Sequence, residues 1–97
     1  MPMDVQVIKN RIKTHIRNNC LDPDNLHKLN DDDSFFENGI IDSVGVLELV
    51  AFVEDTFHIT IDDDELTLEN LDSVNRLTSF IQSKINQAVN GLTAILQ

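Results

Sequence analysis

The chain has 97 residues, 41% of them hydrophobic, which is enough for one small domain, residues 1–97, with a single core. Its one cysteine, Cys20, excludes an internal disulfide and is expected to be a small, at least half-buried apolar residue. The sequence has no signal-like segment and no apolar run long enough to cross a bilayer, which predicts a cytoplasmic protein without membrane insertion. The net charge is −10, and residues 31–65 hold twelve acids and no Lys or Arg, which disfavours nucleic acid and favours basic protein surfaces as partners.

The first predicted element is an amphipathic helix over residues 4–18, with Asp4 as its N-cap. Apolar residues recur at three- and four-residue steps, at Val5, Ile8, Ile12 and Ile16. Residues 19–36 are then rich in Asn, Asp, Pro and Ser, which predicts a long ordered loop with room for one short turn of helix. Phe35 and Phe36 are expected to pin this loop to the core.

The second long helix is predicted over residues 43–57, after a turn marked by Gly39 and Asp42. A stripe at helical spacing comprises Val44, Leu47, Val50, Ala51 and Glu54. Further apolar residues widen this stripe to more than half of the circumference, so the helix must be largely buried or must lend part of its surface to partners. Residues 57–61 alternate like a strand, but a lone strand is unstable, so we predict an extended connector.

Two more helices follow. A short third helix is predicted over residues 65–70, with acids in its first turn, where the helix dipole favours them. The last helix is predicted over residues 73–90, capped by Asp72 or Ser73 and stopped by the Asn-Gly pair at 90–91, with an apolar tail that can add a final turn packed on the bundle. The expected fold is all-α: a small four-helix bundle with a long loop between helices 1 and 2 and a short third helix.

Ser43 follows Asp42 at the expected start of the second long helix, and this region allows three interpretations: serine catalysis, calcium binding and a plain helix cap. A nucleophile elbow requires glycine where the chain has Ile41, and a large sheet. A calcium loop starting at Asp31 puts Phe36 where the sharp-turn glycine belongs, so no metal site is expected. A plain helix cap is the commonest role, but Asp42 can cap alone, which leaves the hydroxyl available. No catalytic residue is expected.

A free hydroxyl at a helix N-terminus suits a phosphodiester, because backbone N–H groups and the helix dipole both stabilise its negative charge. The stretch DSVGVLELVAFVEDTF, residues 42–57, resembles the modification motif of acyl and peptidyl carrier proteins, and the resemblance extends in register over residues 31–81. It implies that Ser43 bears 4′-phosphopantetheine taken from coenzyme A, with Asp42 before it as the motif requires. The protein is then not an enzyme; it holds an acyl or aminoacyl group as a thioester.

The resemblance also implies partners. Val44 and Leu47 stand at apolar contact positions of the family. Glu48, Glu54 and Asp55 stand at acidic positions that meet Arg and Lys on the phosphopantetheinyl transferase and on acyl-handling enzymes with basic surfaces. The expected protein is a monomeric carrier for fatty acid, polyketide, peptide or cell-envelope biosynthesis.

Three residues next to the serine bear on the subtype. Ile40 and Ile41 precede Asp-Ser and Gly45 follows it, whereas carriers of fatty acid synthesis have small residues before and an acid after. The chain is therefore more similar to discrete carriers that work with acyl- or aminoacyl-activating ligases, including D-alanyl carrier proteins. Core packing is expected for most of Leu49, Val53, Leu66, Leu68 and Leu71; the alternative is that they line an apolar cleft that longer cargo chains partly enter. The alternative function is an acidic helical adaptor that binds a basic partner and bears no cofactor.

Overall fold

Helices make up the regular structure of the chain. The computed structural model describes residues 4–19 and 23–96, with the backbone alone for residues 23, 25 and 88–96. The helices are α1 (Val5–Asn19), α2 (Pro23–Leu26), α3 (Ser43–Phe57), a 3₁₀ turn (Asp63–Glu65), α4 (Leu68–Leu71) and α5 (Val74–Leu96). No strand occurs within these described ranges, so the all-α fold is confirmed. The expectation for Cys20 lies outside the described residues.

Helix α1 supplies one side of the core. It is capped as predicted, because the Gln6 N–H donates to Asp4 Oδ1 at 2.7 Å. Ile8, Ile12 and Ile16 are buried, and α1 packs against both α5 and α3. The other core residues are Phe35, Ile40, Ile41, Leu49, Val53, Phe57, Ile61, Leu71, Val74, Leu77 and Ile81. The site helix α3 is thus held from behind by apolar packing.

The long segment between α1 and α3 is fixed by a buried aspartate, Asp72, which lies 36 to 38 residues further along the sequence. Phe35 is 1% exposed, as expected for a residue that pins the loop, and its N–H donates to the Asp72 carbonyl at 2.9 Å. The Asp72 carboxylate accepts from Ser34 Oγ at 2.5 Å and from the Phe36 N–H at 3.1 Å. A segment without regular structure is therefore tied to the α4–α5 junction.

The short third helix differs from its prediction. Instead of one helix over 65–70, a 3₁₀ turn ends at Glu65 and α4 begins at Leu68. The physical reason is a new cap between them: Thr67 is extended, and its hydroxyl accepts from the Asn70 N–H at 3.4 Å. A residue whose side chain satisfies the first N–H groups of a helix starts that helix afresh.

Helix α5 is longer than predicted. Ser73 is the residue that caps it, because its Oγ accepts from the Arg76 N–H at 3.0 Å, while Asp72 serves the loop. The expected stop at residues 90–91 is wrong, since the helix continues to Leu96. A glycine inside a helix costs about 1 kcal/mol relative to alanine, which weakens the helix without ending it. The packing expected for the tail lies outside the described side chains.

Candidate functional site

The first turn of α3 separates the two residues of the Asp-Ser pair by role. Asp42 is the N-cap, in extended conformation, and its Oδ1 accepts from the Gly45 N–H at 2.8 Å. Ser43 is the first helical residue and is exposed. Because Asp42 does the capping, the Ser43 hydroxyl stands at the positive end of the helix dipole without being needed to start the helix.

The chain enters α3 through a tightly held turn. Gly39 has φ +68°, a left-handed conformation that favours glycine. After it, the Ile40 and Ile41 N–H groups donate to the Phe35 carbonyl at 2.8 and 3.4 Å. Both isoleucines are buried, so they fix the backbone that leads into the Asp-Ser pair.

Gly45 fits closely against this turn, a feature that sequence reasoning missed. A Cβ built on Gly45 would lie 2.9 Å from Ile41 Cγ2 and 3.4 Å from Asp42 Oδ1. Real Cβ contacts do not occur at the shorter distance. One signal in the sequence pointed to this packing. Two bulky isoleucines stand before the Asp-Ser pair and a glycine stands after it, and both features differ from the pattern expected for carriers of fatty acid synthesis.

The residues predicted to contact partners are mostly on the surface of α3. Val44 and Leu47 are 64% and 65% exposed, and Glu48 and Asp55 are exposed too. No residue of the predicted stripe is fully buried, whereas Leu49, Val53 and Phe57 are, so α3 leaves part of its apolar surface exposed, the second of the two outcomes expected from the sequence. Apolar side chains that remain exposed on a largely apolar helix are typical of surfaces that contact partner proteins.

Glu54 differs from the other predicted recognition residues. It is half-buried, and its Oε2 accepts from the Ile61 N–H at 2.9 Å. His58 is the C-cap of α3, and its φ of +55° turns the chain back so that Ile61 reaches the core. Glu54 thus holds the extended connector after α3 against the helix.

His15 joins α1 to the side of α3 behind the serine. Its ring stacks on Phe52 with centroids 4.2 Å apart. Burial lowers the pKa of His15, and the nearby Glu48 carboxylate partly offsets that effect. The His15 side chain also lines a cavity of about 10 Å³ together with Ile41, Gly45 and Glu48. That volume is close to the minimum for one water molecule, so the junction is well filled.

The residues of the predicted cargo cleft do not line one surface. Leu49, Val53 and Leu71 are core residues, whereas Leu66 and Leu68 are 40% and 56% exposed. A larger cavity, of about 500 Å³, lies between α1, α2 and the start of α5. Its lining residues are Lys13, Ile16, Arg17, Leu26, His27, Leu29, Asp31 and Val74, and none of them was a predicted site residue.

Within residues 4–19 and 23–96, no three His, Cys, Asp or Glu side chains are grouped so that they could hold a metal ion. In the same part of the chain, no helix combines the length and the apolar character that a bilayer crossing requires.

The fold and the first turn of α3 define a class of protein: a small helical protein that presents a serine, beside its own cap, on an apolar and acidic face. Residues 17–81 match the family described as "Phosphopantetheine attachment site", and the chain belongs to that family. The suspected membership in the carrier proteins is thereby confirmed.

Two curated relatives agree with this membership. An acyl carrier protein of Exiguobacterium sibiricum is 43% identical over 54 residues, which cover 56% of this chain and 66% of the relative. A D-alanyl carrier protein of Leuconostoc mesenteroides is 33% identical over 54 residues, 56% of this chain and 69% of the relative. The chain thus spans just under two thirds of the first relative.

The covalent cofactor is 4′-phosphopantetheine, and the matched region is a carrier domain that bears it. The residues at the start of α3 fit such a group: Ser43 is exposed, and no bulky side chain can stand at Gly45 beside it. Once bound, the group supplies a thiol that can hold a thioester.

Proposed function

We propose that Ser43 is the attachment residue and that the chain carries a small acyl or aminoacyl group among partner enzymes. The observation that carries this proposal is the division of labour at the start of α3. Asp42 caps the helix through the Gly45 N–H, and the exposed Ser43 hydroxyl lies within the stretch that matches the attachment family.

The surface around Ser43 suits enzymes with basic docking sites. Val44 and Leu47 are exposed apolar side chains on the surface of α3. Glu48 and Asp55 add exposed negative charge on the same helix. Charges of this kind raise the rate of encounter with a transferase or ligase of opposite sign, and the apolar pair contributes affinity once the surfaces meet. We assign Glu54 mainly to holding the connector.

The attachment proposal is tested by weighing the protein. The purified apo chain is incubated with coenzyme A, magnesium and a promiscuous phosphopantetheinyl transferase, and the intact mass is measured. A gain equal to one phosphopantetheine is expected, and Ser43→Ala abolishes it. Ser83→Ala, which removes another exposed serine, leaves the gain unchanged. A cofactor-free adaptor predicts no gain for any variant.

For the cargo, we propose a short carboxylic or amino acid activated by an adenylating ligase, in the cytoplasm. One relative is named for D-alanine, and the residues around the serine, Ile40, Ile41 and Gly45, resemble the pattern of carriers that work with ligases. A long chain gains little shelter here, because the five leucine and valine positions predicted to form a cleft either pack in the core or face solvent.

Loading the carrier with acyl groups of increasing length tests the cargo proposal. Because short cargo stays in solvent, the thermal midpoint is expected to be the same from two-carbon to eight-carbon chains. A midpoint that rises steadily with chain length would show that the protein opens to shelter the chain, and would contradict the proposal.

A further inference from the structure

We infer that Ile41 and Gly45 form a matched pair that positions the Ser43 hydroxyl for modification, an inference that rests on the proposed attachment at Ser43. The pair brackets the serine in the sequence, two residues before it and two residues after it. In the structure, the Ile41 side chain occupies the space that a side chain at position 45 would need, since a Cβ there would lie 2.9 Å from Ile41 Cγ2.

Ile41 cannot move away from this contact at low cost. Its N–H donates to the Phe35 carbonyl, and its side chain is only 8% exposed. The space beside it is a cavity of about 10 Å³ closed by His15, Ile16 and Asn19 of α1. That volume is close to the minimum for one water molecule, so it leaves the Ile41 methyl group little room to shift.

The first turn of α3 must therefore move if Gly45 gains a side chain. That turn contains the Asp42 cap, whose Oδ1 would also lie 3.4 Å from the new Cβ. Moving it shifts the Ser43 hydroxyl, whereas Val44 and Leu47 remain exposed for docking. The transferase would bind the variant normally but find the reacting oxygen out of place. A misplacement of about 1 Å can cost as much as ~10²-fold in rate.

The test measures initial rates of phosphopantetheine transfer from coenzyme A over a range of carrier concentrations. For Gly45→Ala we expect kcat to fall about tenfold or more, with KM within about twofold of the wild-type value. Adding Ile41→Leu, which removes the branch at Cβ, is expected to restore most of kcat. Ile41→Ala, which creates no clash, is expected to lower kcat by loosening the same turn.

A stability control separates positioning from general weakening. Ile81→Val removes one methylene from the core on α5, far along the sequence from this turn, and is expected to lower the thermal midpoint without changing kcat. If Gly45→Ala reacts as fast as the wild type, or changes only KM, the positioning role is overturned although attachment at Ser43 stands. If the wild type itself gains no mass, the proposed function fails first.

Discussion

Helices α1 and α3 have the same length, 15 residues, and bury three residues each, but they differ in what they leave at the surface. Helix α1 buries its isoleucines, and its four charged residues are all basic. Helix α3 has no base, buries three residues, and leaves Val44 and Leu47 in solvent beside acids. The difference shows that one helix is built to hold the fold, whereas the other gives up some apolar burial to keep a surface available.

The largest expected effect breaks the structural helix. Ile12→Ala removes a fully buried side chain on α1 and is expected to lower the free energy of unfolding by about 2–5 kcal/mol. Val7→Ala, on the exposed side of the same helix, should change it by less than about 0.5 kcal/mol. Urea unfolding followed by circular dichroism measures the free energy of unfolding of both variants. Equal losses would show that α1 does not hold the fold through its buried isoleucines.

An intermediate effect is expected at Glu54, the acid of α3 that faces inward. Glu54→Ala leaves the Ile61 N–H without its acceptor, which is expected to cost about 1–2 kcal/mol in the free energy of unfolding. Asp55→Ala removes the neighbouring exposed acid and serves as the matched control, with a change below about 0.5 kcal/mol. Similar losses in the two variants would return Glu54 to the surface role predicted from the sequence.

A smaller effect, present near neutral pH and lost at the extremes of pH, is expected where Glu65 pairs with Lys84 on α5. Lys84 Nζ lies 2.8 Å from Glu65 Oε1. This hydrogen bond lowers the pKa of Glu65 from 4.5 and raises the pKa of Lys84 from 10.5. The Glu65 contribution to stability is therefore present above pH 4.5 and lost as pH falls through the lowered pKa. The Lys84 contribution is present below pH 10.5 and lost as pH rises through the raised pKa.

Lys84→Met tests this pair. Between pH 4.5 and pH 10.5 the thermal midpoint of the variant should lie slightly below that of the wild type. At more extreme pH the midpoint of the variant should change less with pH than that of the wild type. High salt should narrow the difference, because the pair is partly exposed. A variant with an unchanged pH profile would mean that the ion pair does not contribute in solution.

The smallest effect on stability is expected at Leu47. Because this side chain is 65% exposed, Leu47→Ala should change the free energy of unfolding by less than about 0.5 kcal/mol. The same variant should raise KM for the transferase severalfold, since a contact made only with the partner is lost. Lower stability together with unchanged transfer kinetics would reverse the contrast between the two helices.

Much of this arrangement could be predicted from the sequence, because it depends on local signals. The bounds of α3 follow from Asp42 and the apolar spacing after it, and the buried face of α1 follows from its isoleucines. The packing of Gly45 could not be predicted from the sequence, because it depends on the position of the Ile41 Cγ2 methyl group. The turn before α3 sets that position, and hydrogen bonds to the Phe35 carbonyl fix the turn.

Two other differences have the same origin in long-range or competing contacts. The spacing of Glu54 suggested an outward acid, but the connector after α3 folds back and brings an N–H to it. The glycine at 91 suggested a helix end, but a modest propensity cost does not decide where a helix of 23 residues ends.

The Asp72 carboxylate joins parts of the chain that are 36 to 38 residues apart in sequence. Its hydroxyl and amide donors lie in a loop that a reader of secondary structure alone would take for the most easily opened part of the molecule. Because the amides of Phe35 and Phe36 both end on this one buried aspartate, they open only when the α4–α5 junction does. In hydrogen–deuterium exchange these two loop amides will therefore be as slow as those of the helices, and the approach to the serine will stay ordered for as long as the protein is folded.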